Sequence, residues 1–97
     1  MIDQAFFEKL QTASALELWE DLVARTEAFH VVGAVHAEKA ANHAAILRLL
    51  PSAVDFRRTS AKLARIAVEV QGLRRDMDLL GDAVDLVRVA LHNRVRL

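Results

Sequence analysis

The sequence predicts an all-α protein built from long helices, and three observations carry that prediction. Only three glycines and one proline occur in 97 residues, so the chain has little turn-forming material. Alanine and leucine, both strong helix formers, supply 17 and 14 residues. Apolar residues recur at helical spacing along most of the chain. We therefore expect one helical domain over residues 1–97: a long antiparallel helical hairpin with a short N-terminal helix, paired as a homodimeric four-helix bundle.

The first helix boundaries follow from a capping pair and a helix breaker. Ser14 and Glu17 have the spacing of a capping box, which predicts a short helix at 3–12 and a long helix that begins at residue 15. Pro51 lacks an N–H and clashes with the preceding turn, so the long helix is expected to end at residue 50.

The second long helix is expected to begin directly after the proline. Ser52 and Asp55 repeat the capping spacing, which predicts a tight turn at 51–52 and a helix over 53–95. The chain therefore reverses its direction at this turn, and the two long helices are expected to lie side by side.

This second long helix carries a heptad pattern. Ten of twelve positions are apolar in two rows with a spacing of seven: Phe56, Leu63, Val70, Met77, Val84 and Leu91, and Thr59, Ile66, Leu73, Leu80, Val87 and Arg94. A sustained 3.5-residue repeat predicts the packing of a coiled coil. Because the pattern keeps its phase through Gly72 and Gly81, we expect one continuous helix. The alternative is a monomeric three- or four-helix bundle with breaks at Gly33 and Gly81.

The first long helix has more apolar surface than one neighbour can cover. Its predicted inner row is Trp19, Leu22, Thr26, Phe29, Gly33, His36, Ala40, His43, Leu47 and Leu50. Between residues 28 and 47 only Glu38 and Lys39 are charged, so the helix is apolar on all sides. We therefore expect a second copy to cover it. The predicted interaction surface consists of Val32, Val35, Ile46, Trp19, Leu79 and Leu86.

Aromatic residues near the start of the chain are further candidates for binding anchors. Phe6, Phe7 and Trp19 lie close to several acidic residues, and exposed aromatics are frequent hot spots of interfaces. Trp19 also belongs to the predicted inner row, so a position in the core is its competing interpretation.

Charges are balanced overall but segregated along the chain. Lys and Arg number 13, as do Asp and Glu, which gives no general attraction to nucleic acid or to an anionic membrane. Residues 1–27 carry six acids and two bases, whereas residues 51–75 carry six bases and two acids. An antiparallel dimer would bring these opposite charges together, so charge favours that orientation.

Composition and motifs favour no catalytic site and no cofactor. The chain has no cysteine, which excludes disulfides and thiolate metal sites and fits a reducing compartment. The longest uncharged run is ten residues, half of a membrane span, so we expect a cytoplasmic protein without a membrane partner. The three glycines are isolated, which leaves no phosphate-binding loop.

Two histidine patterns provide the competing hypothesis. Glu27 and His30 have the E-x-x-H spacing of carboxylate-bridged metal bundles, but a second-helix glutamate at the matching level is missing. His36 precedes Lys39 with a spacing similar to that of histidine phosphotransfer domains, although Ala40 stands where those domains usually have glycine. A solvated Glu27 and an inward-facing His36 are the structural alternatives.

These observations predict a small non-enzymatic helical-bundle protein that acts through protein–protein interaction, as an adaptor, a chaperone-like protein or an assembly subunit. The expected partner is a second copy of the chain, with a further protein partner of unknown identity. The alternative function is histidine phosphotransfer at His36 or metal binding at Glu27 and His30.

Overall fold

The computed structural model describes residues 2–96, and its regular elements are all helical. They are α1 (Gln4–Thr12), α2 (Ala15–Leu49), a 3₁₀ turn (Leu50–Ser52) and α3 (Phe56–Val95). No strand occurs within residues 2–96. The prediction of an all-α protein with a hairpin-like layout of two long helices is confirmed.

Side-chain caps begin the first two helices. The N–H of Phe6 donates to Oδ1 of Asp3 at 2.9 Å, so Asp3 caps α1. At α2 the N–H of Glu17 donates to Oγ of Ser14 at 3.2 Å, and that hydroxyl donates to Oε1 of Glu17 at 3.3 Å. Each cap satisfies an N–H that has no partner within the helix. The predicted capping pair therefore defines the start of α2.

The turn differs from the prediction in its detail. The hydroxyl of Ser52 donates back to the carbonyl of Leu49 at 3.1 Å, so it does not cap the next helix. Asp55 takes that role, because its Oδ1 accepts the N–H of Arg58 at 3.0 Å. Thus α3 begins at Phe56 and not at residue 53, since the stronger carboxylate acceptor lies three residues further on.

The chain divides into two compact units. Unit 1 comprises Met1–Val31 and Met77–Leu97, and unit 2 comprises Val32–Asp76. Helix α2 continues through Gly33, and α3 continues through Gly72 and Gly81. The breaks of the alternative bundle are therefore not found at Gly33 or Gly81.

Unit 1 is a three-helix bundle with an apolar core. Its core cluster comes from α1, the start of α2, the end of α3 and the α1–α2 connection: Phe6, Ala13, Leu18, Ala83 and Val87. Val84 of α3 is buried as well. Leu18 and Val87 are fully buried. The end of α3 packs against both α1 and α2, so its broad apolar face is in contact with two helices.

Polar contacts also attach α1 to the rest of unit 1. The guanidinium of Arg94 donates to the carbonyls of Leu10 at 2.9 Å, Ala13 at 3.1 Å and Gln11. These carbonyls belong to the end of α1, where no helical N–H remains to bind them. Arg94, predicted as part of the heptad row, is therefore a C-terminal cap of a neighbouring helix.

A second polar contact joins α2 to α1. The Nε of Arg25 donates to Asp21 at 2.9 Å, and its guanidinium carbon lies 4.7 Å from the centre of the Phe6 ring. The Lys9 Nζ lies 3.7 Å from the same aspartate. Unit 1 thus combines apolar burial with a charged network at its edge.

Unit 2 is a two-helix hairpin with a thin core. Within residues 32–76, all of which are described, only Leu63 and Ile66 are buried, and both belong to α3. The α2 side chains of this unit are half-buried or exposed. The α3 heptad rows do face the hairpin interior, but Phe56 at their start is exposed. Two helices alone leave the outer side of each one uncovered.

One ion pair crosses the hairpin in unit 2. The Nζ of Lys39 lies 2.8 Å from Oε2 of Glu69. The hydrogen bond and the charge of Lys39 lower the pKa of Glu69, and Glu69 in turn raises the pKa of Lys39. Both side chains are solvent-accessible, so this pair specifies the alignment of the helices more than it stabilises them.

Candidate interaction surface

The outer side of α2 in unit 2 is apolar and uncovered. We define this outer α2 face by its exposed residues Ala34, Val35, Ala37, Ala41, Ala44 and Leu47. Half-buried residues alternate with them along the helix: Val32, His36, Ala40, His43 and Ile46. Ala40 and His43 border a hollow with Ala67 and Val70 of α3. Over residues 34–47 the exposed polar side chains are Glu38 and Asn42. A mostly apolar exposed face of this kind is typical of an interaction surface.

The outer side of α3 in the same unit is different. It exposes six basic side chains, which are Arg57, Arg58, Lys62, Arg65, Arg74 and Arg75. Among its exposed apolar residues are Ala61, Ala64 and Val68. The exposed residues of α2 in unit 2 are thus mostly apolar, whereas those of α3 include six bases beside the exposed Phe56 and Val68.

Unit 1 exposes bulky apolar side chains on its own part of α2. Leu16, Trp19 and Val23 are 66%, 55% and 48% exposed and follow one another at spacings of three and four, so they lie on one side of the helix. We call them the bulky patch. The exposed acids Glu17, Glu20 and Glu27 lie beside it in the sequence.

The exposure of Trp19 corrects the predicted inner row. Leu18, which that row omits, is fully buried, whereas Trp19 points away from the core. Helix α1 packs against α2 on the side of Leu18, and consecutive helical residues are separated by about 100°. Leu47, near the other end of the row, is also exposed. The other eight members of the row are half-buried.

The six residues predicted as an interaction surface divide into two groups. Trp19, Val35 and Leu79 are exposed, and they remain available to a partner. Val32, Ile46 and Leu86 are half-buried. Leu86 packs against the core of unit 1, so most of its apolar surface is already covered.

A shallow apolar groove runs between α1 and α3 in unit 1. Its lining includes Phe7, Leu10, Leu86, Val89 and Ala90, and its volume is about 370 Å³. Of the predicted aromatic anchors, Phe7 lines this groove, whereas Phe6 is buried in the core. The packing of α1 against the other helices determines which of the two phenylalanines is buried. This packing cannot be read from the sequence pattern.

The Glu27 and His30 side chains are exposed on α2 and do not converge with further ligands. His30 lies edge-on to Phe29, with ring centres 6.0 Å apart, and borders a hollow shared with Asp85 and Arg88. Within residues 2–96 no group of three or more His, Cys, Asp or Glu side chains could hold a metal ion. The E-x-x-H spacing is therefore not matched by a converging ligand set in the described part of the chain.

The other two histidines on α2 are half-buried within unit 2. His43 borders a hollow with Ala67 and Val70 of α3. His36 is half-buried, and Lys39, one turn away, is bound to Glu69. A phosphoacceptor histidine must be reached by a second protein, so this placement gives phosphotransfer little support.

Charge is segregated between the two units. Unit 1 carries nine acids and five bases, a net charge of −4, and unit 2 carries four acids and eight bases, a net charge of +4. The two units therefore carry net charges of equal size and opposite sign.

Comparison with known proteins adds no relative. The chain matches no protein-family model, no curated protein and no solved structure at a significant level. Among the described helices, none has a stretch long and apolar enough to cross a membrane.

Proposed function

We propose that this protein is a small, non-enzymatic helical-bundle protein that acts through protein–protein interaction, as an adaptor, a chaperone-like protein or an assembly subunit. The observation that carries the proposal is the outer α2 face of unit 2, which is apolar and exposed. Covering such a face removes apolar surface from water, which favours association. The absence of cysteine fits a reducing compartment, so the proposal places the protein in the cytoplasm.

The proposed state of the protein is a homodimer that forms a four-helix bundle. Two hairpins contribute four long helices, and a bundle of this kind covers the α2 faces that one chain leaves exposed. A twofold dimer needs only one self-complementary surface, which is the simplest way to cover the same face on every copy.

The test is the mass of the purified chain as a function of concentration, measured by sedimentation equilibrium. We expect a reversible shift from one chain to two. Ala41→Glu places a charge on the outer α2 face and should raise the dissociation constant by at least about tenfold.

The matched control is Val68→Glu, which places the same charge at an exposed apolar position on α3 and should leave the dissociation constant nearly unchanged. A chain that stays single at the highest attainable concentration contradicts the proposal. If both substitutions raise the dissociation constant equally, the interaction surface does not lie on α2.

A further inference from the structure

We propose that the second copy binds antiparallel along α2, with the bulky patch of one chain on the outer α2 face of the other. The inference rests on the proposed function and adds the orientation and register of the partner. It is motivated by two differences between these surfaces: the size of their exposed side chains and the net charge of the units that carry them. The bulky patch exposes leucine, tryptophan and valine within an acidic unit, whereas the outer α2 face exposes mostly alanine within a basic unit.

A row of exposed residues on α2 supplies the register. Leu16, Val23, His30, Ala37 and Ala44 recur every seven residues, and each of them is exposed. An antiparallel partner with its twofold axis at His30 places Leu16 opposite Ala44 and Val23 opposite Ala37. A large side chain then faces a small one at each of these pairs, which lets the helices approach closely without a clash. A parallel partner would place leucine on leucine and alanine on alanine.

The net charges of the two units also favour the antiparallel orientation, independently of the size of the side chains. In the antiparallel arrangement the unit of net charge −4 meets the partner's unit of net charge +4, and this happens twice in the dimer. In a parallel arrangement each unit would meet its own kind and be repelled. Added salt should therefore weaken an antiparallel dimer and strengthen a parallel one.

Thiol cross-linking tests the orientation directly, because the chain contains no cysteine of its own. Leu16→Cys and Ala44→Cys are prepared separately, and a short bis-maleimide is added to each variant and to an equal mixture. We expect the mixture to yield much more cross-linked dimer than either variant alone. His30→Cys, at the proposed axis, should cross-link to itself.

Controls and a second measurement keep the outcomes distinct. Sedimentation first establishes that each cysteine variant is dimeric. Trp19→Ala should raise the dissociation constant by about tenfold, whereas Val68→Ala, at an exposed position on α3, should not change it. The dissociation constant of the unsubstituted chain should also rise with salt.

Three results would overturn this arrangement while leaving the proposed dimer intact. They are equal self-cross-linking of Leu16→Cys and Ala44→Cys, absence of cross-links in a dimeric sample, and a dimer that becomes tighter with salt. A chain that is single at every concentration would overturn the proposed function as well, and sedimentation alone identifies that case.

Discussion

Leu18 and Trp19 are neighbours in the sequence, yet one is fully buried and the other is mostly exposed. Hydrophobicity does not distinguish them, because both residue types are common in cores. The difference arises from α1, which packs on the Leu18 side of α2. At the scale of single residues, burial therefore depends on which neighbouring helix is present as much as on residue type.

Leu18→Ala tests this assignment. It removes a fully buried side chain from the core of unit 1 and should lower the free energy of unfolding by about 2–5 kcal/mol. Leu16→Ala, on the same helix at a 66% exposed position, should change it by less than about 0.5 kcal/mol. Urea unfolding at a concentration below the onset of association measures both. A smaller loss for Leu18 than for Leu16 would reverse the assignment of the buried side.

The ion pair of Lys39 and Glu69 predicts a pH dependence. Glu69 has a lowered pKa in the folded chain, so its contribution is present above the ordinary glutamate pKa and is lost as the pH falls through the lowered value. Lys39 has a raised pKa, so its contribution is present below the ordinary lysine pKa and is lost as the pH rises through the raised value. The difference in stability between the unsubstituted chain and Glu69→Gln should therefore be constant from about pH 5 to 10 and shrink on either side.

Urea unfolding at a series of pH values measures this difference. It should be small and should decrease with salt, since both side chains are accessible to solvent. Glu38→Gln is the matched control, because Glu38 is an exposed glutamate that affects the pKa of Lys39 least among the causes. An undiminished difference for Glu69→Gln at about pH 3 would contradict the pairing.

At the scale of elements, the heptad rows of α3 were the most informative sequence signal. Leu63, Ile66, Val84 and Val87 from these rows are all buried. A long heptad repeat is easy to recognise in a sequence, because apolar residues mark the same side of the helix over many successive turns. Phe56 is an exception, because it is the first residue of α3.

Two glycines in α3 give a prediction about that helix. Around Gly72 an added Cβ would meet no atom within 4 Å, and at Gly81 it would lie 3.5 Å from the Phe29 ring, an ordinary contact. Gly72→Ala should therefore raise the free energy of unfolding by about 0.5–1 kcal/mol, since alanine is the better helix former. Gly81→Ala should also be stabilising. Thermal unfolding followed by circular dichroism measures both, and a loss of stability at Gly72 would argue against a continuous helix there.

Helix ends were predictable only where the cap lies next to the helix in sequence. Ser14 and Glu17 could be recognised from their spacing, and Pro51 lies in the 3₁₀ turn that directly follows α2. Arg94 could not be recognised as the cap of α1, because it is more than eighty residues away from the carbonyls that it binds. Of the outer α2 face, the sequence predicts only Val35 as part of an interaction surface, because the side of α2 that faces inward had to be known before the other members could be assigned.

At the scale of the whole molecule, the two units differ in how much they bury. Unit 1 has two fully buried side chains and a third helix, whereas the described residues of unit 2 bury only Leu63 and Ile66. Local opening is easiest where few apolar contacts must be broken. The stability of the chain is therefore uneven, with the better-packed part in unit 1.

Hydrogen exchange tests this difference. Below the onset of association, the amides of residues 34–47 should exchange faster than those of residues 18–30 and 83–91. Raising the protein concentration should slow exchange in residues 34–47 if a second copy covers them. Uniform exchange along α2 at low concentration would contradict the uneven burial.

The order of segments in unit 1 has a consequence for folding. Phe6 and Leu18 are more than sixty residues away in sequence from their core partners Ala83 and Val87, whereas residues 32–76 of unit 2 are contiguous. Contacts between distant segments form late, because a long loop must close first. During refolding we therefore expect the hairpin of unit 2 to form before the core of unit 1.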